Sequence, residues 1–450
     1  MSYNFFIETL GCPKNIADSL CIKGALNLEG NIFTDDLSSA DIVIVNTCGF
    51  IEAAKKESVD LIIKFIDWKN KAPNRLLVIA GCLAQKYSTE LYQDIPEADL
   101  IIGTGDLPVL ARAIDKLRQG VDRLCLVGQP EDFLYNNEWV KASGYGEHRA
   151  YLKIAEGCNN KCTYCVIPEM RGSYRSRGIE EILAEAAWLS ANGTKEIILV
   201  AQDTTLYGMD IYNELVLPDL LRNLCLIDGI EWIRLLYTYP ANITDDLLDV
   251  IATEEKVCPY LDIPLQHISD PILKKMGRNM SSKEIKTLIS KIKSLIPYIT
   301  LRTTFIVGFP GESQADFDFL LDFVQEAKFD RAGFFAYSKE PGTKAAKMKN
   351  QIPIKTKIKR LQAAEKLQYS ILTEKQNEMI GQIVQVIVDG PSPDNGLLWE
   401  GRTKKDAPDI DCVVYFNPTE KISVGKFLKV KITHTQDFAL IGEIINEFGK

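Results

Sequence analysis

The stretch Gly157-Cys158-Asn159-Asn160-Lys161-Cys162-Thr163-Tyr164-Cys165 decides how the chain is read. Its three thiols follow the order Cys-x3-Cys-x2-Cys. A short loop with that spacing can wrap an iron–sulfur cubane and aim several thiolates inward. A [4Fe–4S] cluster normally takes four cysteines, and the next thiol along the chain is Cys225. One iron would then be open to another ligand. Zinc is the competing reading, although zinc sites favour paired Cys-x2-4-Cys units with distant partners. A chance grouping of three thiols is the third reading and, at this density, the weakest.

Outward toward the N-terminus, apolar runs and helical stretches alternate. Strands are predicted at 3–10, 42–45, 76–80 and 99–102, with helices at 16–28, 51–68, 83–92 and 107–117. Such alternation argues for a parallel, helix-covered sheet, an α/β fold. Three further cysteines share one phase on it. Cys12, Cys48 and Cys82 each sit just past the carboxyl end of a predicted strand, in a Gly-containing turn that leads into a helix. Carboxyl ends of parallel strands share one sheet edge, where open α/β sheets bind ligands. The helix N-termini there favour negative charge. A second three-cysteine cluster is the inference, set against three buried thiols serving as small hydrophobes. Cys21, Cys125, Cys225, Cys258 and Cys412 show no such phase and are expected to be buried thiols.

Toward the C-terminus, residues 131–146 are polar and aromatic and read as a linker. Strand-like segments then recur at 151–155, 196–201, 232–237, 260–263, 299–307 and 332–337. Helical segments fill the gaps at 179–191, 217–226, 245–252, 283–295 and 314–327. Six such units fit a partial barrel, whose chemistry belongs past the strand carboxyl ends. Gln202, Asp203, Arg234, Gln266, His267, Arg302 and Thr304 are the polar candidates there. His267 reads equally well as an acid–base group or as a satisfied structural histidine. A charged helix at 355–376 closes the barrel, and short strands beyond Gly381 suggest a small antiparallel β-barrel of OB-like type. The divisions are therefore 1–130, the linker, 147–378 and 381–450.

Composition limits the possibilities. Hydrophobic residues make up 46% and charged residues 25% of the chain, as in ordinary globular proteins. No eighteen-residue apolar run is present and no basic leader precedes the first strand, so a cytoplasmic address and no membrane partner are expected. In a reducing compartment the eleven cysteines are poor disulfide candidates. Net charge is −9, which argues against a nucleic-acid surface spread over the whole molecule but not against a local one. Residues 381–450 hold eight Lys and Arg against ten Asp and Glu, a net of −2. That module is expected to lack affinity for tRNA, and to meet a basic protein through Glu400, Asp406, Asp409 and Asp411.

The nonapeptide resembles the signature of radical S-adenosylmethionine enzymes, with Tyr164 in its aromatic slot. Over nearly the whole chain the sequence resembles the methylthiotransferases. The matching segments are Glu8-Thr9-Leu10-Gly11-Cys12-Pro13-Lys14-Asn15, Asn46-Thr47-Cys48-Gly49-Phe50-Ile51, Gln202-Asp203-Thr204-Thr205-Leu206-Tyr207-Gly208, Ile263-Pro264-Leu265-Gln266-His267 and Gly308-Phe309-Pro310-Gly311-Glu312. Cys12-Pro13-Lys14-Asn15 and the segment Gly401–Asp411 resemble the branch that modifies a ribosomal protein rather than tRNA. Leu20-Cys21 and Cys412 depart from that branch's usual residues.

The resemblance implies a radical S-adenosylmethionine barrel, a C-terminal TRAM domain and two [4Fe–4S] clusters, on Cys12, Cys48, Cys82 and on Cys158, Cys162, Cys165. It further implies S-adenosylmethionine contacts from Tyr164, Gln202, Arg234, Arg302 and Gly308. The implied reaction replaces a β-carbon hydrogen of an aspartate of small-subunit ribosomal protein uS12 by a methylthio group, with an external electron donor. An unactivated C–H bond offers no acidic proton, so a cofactor radical is needed to open it. The rivals are a tRNA adenosine methylthiotransferase and a non-enzymatic, metal-binding, ribosome-associated scaffold.

Overall fold

The computed structural model describes residues 2–393, 396–418 and 422–445; the last five residues of the C-terminal module lie outside these. The N-terminal domain runs β1 (Asn4–Thr9), α1 (Pro13–Leu28), β2 (Ile32–Phe33), β3 (Ile42–Thr47), α2 (Glu52–Lys69), β4 (Leu76–Gly81), α3 (Cys82–Lys86), α4 (Ser88–Asp94), β5 (Leu100–Ile102), α5 (Leu110–Arg118) and β6 (Leu124–Leu126). Its six strands form one parallel sheet in the order β2-β1-β3-β4-β5-β6. β3 and β4 are buried throughout, as expected for central strands covered on both faces. The order reverses between β1 and β3, which creates the crevice where such sheets take ligands.

The segment read as a linker is partly helical. α6 (Asn137–Ala142) is capped by the Asn136 side chain, which accepts from the N–H groups of Glu138 and Trp139. It packs so closely on α1 that a Cβ at Gly24 would lie 1.6 Å from the Trp139 carbonyl oxygen. An Asn cap before a short apolar stretch is the signal for it.

The central domain follows as β7 (Arg149–Lys153), β8 (Ala155–Glu156), α7 (Ile167–Arg171), β9 (Arg175–Ser176), α8 (Ile179–Ala191), β10 (Glu196–Val200), α9 (Leu217–Cys225), β11 (Trp232–Leu235), α10 (Asp245–Thr253), β12 (Val257–Gln266), α11 (Asp270–Met276), α12 (Ser282–Leu295), β13 (Thr300–Val307), α13 (Gln314–Ala327), β14 (Arg331–Ala336) and α14 (Ile354–Asn377). The sheet β14-β13-β12-β11-β10-β7 is parallel throughout. The outer helices bury the largest apolar cluster against it, from Ile182 and Leu220 to Phe323 and Ile371.

The C-terminal module is a closed barrel of β15 (Ile383–Pro391), β16 (Trp399–Arg402), β17 (Val413–Phe416), β18 (Phe427–Gln436) and β19 (Ala439–Ile444). It is not wholly antiparallel, because β17 pairs with β19 in parallel. Its segment from Arg402 to Asp411 enters the amino-terminal end of the central barrel. Fully buried Glu196 there accepts from Arg234 at 2.9 Å and from Arg402 at 2.7 Å. Arg331 pairs with Asp406 at 2.6 Å, Arg149 with Asp409 at 3.0 Å, and the Tyr260 hydroxyl donates to Asp411 at 2.6 Å.

This overturns the sequence-based role for Asp406 and Asp411, which are buried anchors of the plug. Asp409 also anchors it, through Arg149 and Tyr151, while remaining half-exposed. Breaking a buried ion cluster by removing one partner typically costs about 3–5 kcal/mol. Glu196→Gln is therefore expected to lower the denaturation midpoint and to expose the C-terminal barrel to limited proteolysis.

Among the described residues no helix is long and apolar enough to cross a membrane. Cys21, Cys258 and Cys412 are buried as expected, whereas Cys225 is half-buried and Cys125 is exposed on the edge strand β6. An edge strand leaves one side uncovered, and the sequence pattern of three residues does not reveal that.

Candidate active site

The fold brings the two thiol sets to facing edges of the two α/β domains. Cys12, Cys48 and Cys82 follow β1, β3 and β4, the first two flanking the point where the strand order reverses. The turns are tight enough to demand glycine. A Cβ at Gly11 would lie 2.7 Å from the Cys48 Cβ, and one at Gly81 would lie 2.4 Å from the Asn46 side-chain oxygen; both glycines have positive φ. Cys82 begins α3, and its thiol is pushed up to about 12 by burial, partly offset by Arg171 and further raised by Cys12 and Cys48. The three sulfurs are thus close enough to feel one another's charge. Asn15 ties the turns together, donating to the Leu10 carbonyl at 2.8 Å and the Thr47 carbonyl at 3.1 Å.

The second set lies on the loop after β8. A Cβ at Gly157 would lie 2.0 Å from the Ser173 carbonyl oxygen, so only glycine lets the loop pass there. The Cys158 N–H donates to the Gly172 carbonyl at 3.0 Å, and the Thr163 N–H to the Met276 carbonyl at 2.9 Å. Asn160 donates to Asp203 at 3.1 Å, and Asp203 in turn caps the next turn by accepting from Leu206. Cys158, Cys162 and Cys165 all line one cavity of about 410 Å³. Burial pushes the Cys165 thiol up to about 12, with the neighbouring thiols Cys162 and Cys158 adding to the rise. Arg278 reaches toward Cys162 at 3.8 Å while stacked 4.3 Å above the Tyr239 ring.

Between the two sets lies a buried ion cluster that sequence reasoning missed. Lys153 bonds Asp18 and, at 2.5 Å, Glu156. Arg171 bonds Asp18 at 2.5 Å, Glu156 at 3.2 Å and Asn15 at 2.6 Å, and its Nε donates to the Cys82 sulfur at 3.2 Å. Burial alone would raise the Glu156 carboxyl, but Lys153 and Arg171 outweigh it and hold the group at about 2. Gln202 donates to Glu156, and its own carbonyl oxygen is buried without a partner among the described residues. Arg171 ends α7, whose start is held by the Ile167 N–H on the Cys165 sulfur at 3.4 Å. One five-residue helix therefore touches a thiol of each set.

The other expected residues divide. Tyr164 packs edge-on against Phe309, with ring centroids 6.4 Å apart. Gly308, at φ 72°, donates its N–H to Glu312 at 2.8 Å. His267 is fully buried, accepts from the Ser269 N–H at 2.9 Å, and lies 3.6 Å from the same Glu312. Its Nδ1 thus holds the turn to Ser269, while its Nε2 is buried without a hydrogen-bond partner among the described residues. Arg234 and Arg302 lie elsewhere. Arg234 serves Glu196 and the carbonyls of Lys404 and Thr403, and Arg302 bonds Asp262 at 2.9 Å. Both reach residues of the plug, Arg234 the Lys404 and Thr403 carbonyls and Arg302 the Asp411 carboxylate at 3.6 Å, rather than the cysteine cavity. Arg302 lines a separate cavity of about 590 Å³, which holds neither thiol set.

The donor chemistry suits iron–sulfur clusters. Each set offers three thiols, and cationic groups stand by to balance thiolate charge, Arg171 at one and Arg278 at the other. Among the described residues no three His, Cys, Asp or Glu side chains close on a single metal-ion position.

Known proteins bear out this class. The chain matches the radical SAM superfamily over residues 152–324, the uncharacterized protein family UPF0004 over 4–103, and the TRAM domain over 380–445. The solved radical S-adenosylmethionine methyltransferase TsrM from Kitasatospora setae is similar in fold, with a TM-score of 0.54 at 14% identity, covering 77% of each chain. Full-length likeness is closer to proteins named ribosomal protein uS12 methylthiotransferase RimO. The one from Geobacter sulfurreducens is 46% identical over 97% of this chain and 98% of its own. That from Acetivibrio thermocellus is 45% identical over 99% of both. The chain belongs to this RimO family of methylthiotransferases.

Proposed function

We propose that the chain adds a methylthio group to the β-carbon of an aspartate of ribosomal protein uS12. The observation that carries this reading is the pairing of two three-thiol sets across one buried ion cluster, in a chain alike end to end with the uS12 enzymes. Cys158, Cys162 and Cys165 would hold a [4Fe–4S] cluster at the barrel cavity, and Cys12, Cys48 and Cys82 a second one at the sheet edge. Each cluster, when bound, supplies an open iron: the first for S-adenosylmethionine and its one-electron reduction, the second for sulfur.

The chain's own residues set the stage for this chemistry. Gln202 holds Glu156 in the ion cluster between the thiol sets, and Tyr164 packs its ring on Phe309 behind the cysteine loop. Gly308 shapes the turn beneath them. Arg171 and Lys153 keep the space between the thiol sets balanced in charge, and Arg278 does the same beside Cys162. An external electron donor supplies the reducing equivalents, and tRNA is not a substrate. Mass spectrometry of ribosomal protein and tRNA from cells lacking the chain tests this. The expected result is an unmodified uS12 aspartate with tRNA unchanged. Loss of a tRNA methylthio group instead would move the function to the adenosine-modifying branch.

A further inference from the structure

The chain is acidic as a whole, yet one surface is not. Residues 339–366 hold nine Lys and Arg against two Glu, a net of +7 in a chain of −9, so the remainder stands at −16. Of the two acids, Glu340 is buried on Lys55 and does not neutralise the surface. Lys339, Lys344, Lys347 and Lys349 are exposed on the loop between β14 and α14. Lys355, Lys359 and Lys366 are exposed on α14 itself. Their spacings of four and seven put these three on one helical face. The opposite face buries Arg360, Ala364, Gln368 and Ile371 against the barrel. None of the seven lysines takes part in an ion pair among the described residues, whereas Lys328 and Lys375 nearby do.

The strip leads to the site. Lys344 lies on the rim of the cavity lined by Cys158, Cys162 and Cys165, and exposed Lys161 of the cysteine loop joins it there. The two segments are bonded, the Ala345 N–H donating to the Thr163 carbonyl at 2.8 Å. Seven unpaired ammonium groups in a row repel one another, and a neutralising polyanion relieves that repulsion. A ribosomal protein embedded in RNA is itself cationic, so the strip would repel the free substrate protein.

Building on the uS12 reading, we propose that this lysine strip docks the phosphate backbone of ribosomal RNA flanking the substrate aspartate. The substrate is then taken on the RNA-bearing particle, with the RNA guiding the aspartate to the cavity mouth. Lysines spread over a loop and along more than three turns of one helix face favour a polynucleotide over a compact acidic protein.

The test compares the reconstituted full-length protein with a Lys355→Glu, Lys359→Glu, Lys366→Glu variant and with its Lys→Gln counterpart. Fluorescence anisotropy with a labelled mixed-sequence RNA hairpin is expected to show about tenfold weaker binding by the Glu variant. The log–log salt dependence should be shallower by roughly two, as expected when two or three phosphate contacts are lost. Modification of assembled small subunits should fall in parallel, while modification of a free uS12 peptide should not fall, since the reversed charge no longer repels a cationic substrate. Equal RNA binding by parent and variants, or none by the parent, overturns the proposal. A variant that binds RNA normally but fails with an acidic protein reductant, and recovers with a chemical one, assigns the strip to the electron donor instead. Failure of the parent on every form of uS12 would defeat the functional reading, while the anisotropy result stands separately.

Discussion

An Arg171→Gln variant is expected to lose about 3–5 kcal/mol of stability, among the largest effects of any single substitution in the chain. The guanidinium serves Asp18 and Asn15 of the N-terminal domain, Glu156 of the barrel and the Cys82 sulfur together. Without it, two buried carboxylates share the single Lys153 amine, and one negative charge is left uncompensated away from water. Glutamine fits the volume but not the charge. Arg171→Lys keeps the charge and loses the planar fork, so it should fall between the two. The denaturation midpoint reads the effect, and the iron content of the N-terminal site should fall with it. A glutamine variant as stable as the parent would show that the two domains are joined by something other than this cluster.

The second large effect separates the two thiol sets. A Cys12→Ala, Cys48→Ala, Cys82→Ala triple variant is expected to keep about four of roughly eight iron atoms after anaerobic reconstitution, since each cubane holds four. It should still cleave S-adenosylmethionine to 5′-deoxyadenosine, because the cavity around Cys158, Cys162 and Cys165 is untouched. It should transfer no sulfur. The reciprocal triple variant should lose the cleavage as well. Stoichiometric zinc in place of iron, or normal methylthio transfer by the first variant, would contradict the division of labour.

Periodicity and position carried much of this into the sequence. The central strands of both domains are continuous apolar runs, and their helices repeat at helical spacing, so α8 and α13 lie at the expected residues. The cysteines were legible because each follows a strand, a phase that survives without any knowledge of contacts. What stayed hidden is charge used at long range. Arg171, Asp18 and Lys153 are 153 and 135 positions apart in their pairings, and no local pattern announces such partners. Arg234 and Arg302 misled for a related reason. A strand pattern gives the face a side chain points to but not the end of the barrel it serves, and both serve the plugged end. The acids of the 401–411 segment read as a surface because their partners Arg149, Arg331 and Tyr260 lie on the barrel. Edge strands β2 and β6 and the short helices α6, α7 and α11 are too brief for periodicity to register.

The most direct measurement uses purified protein with both sites loaded, a reductant and S-adenosylmethionine labelled on its methyl group. It is offered uS12 in small subunits, free uS12 peptide and bulk tRNA in parallel. Mass spectrometry is expected to find one labelled methylthio group in place of hydrogen on a uS12 aspartate, with 5′-deoxyadenosine formed alongside and tRNA unlabelled. Labelled adenosine in tRNA with unmodified uS12, or no 5′-deoxyadenosine at all, would contradict the account.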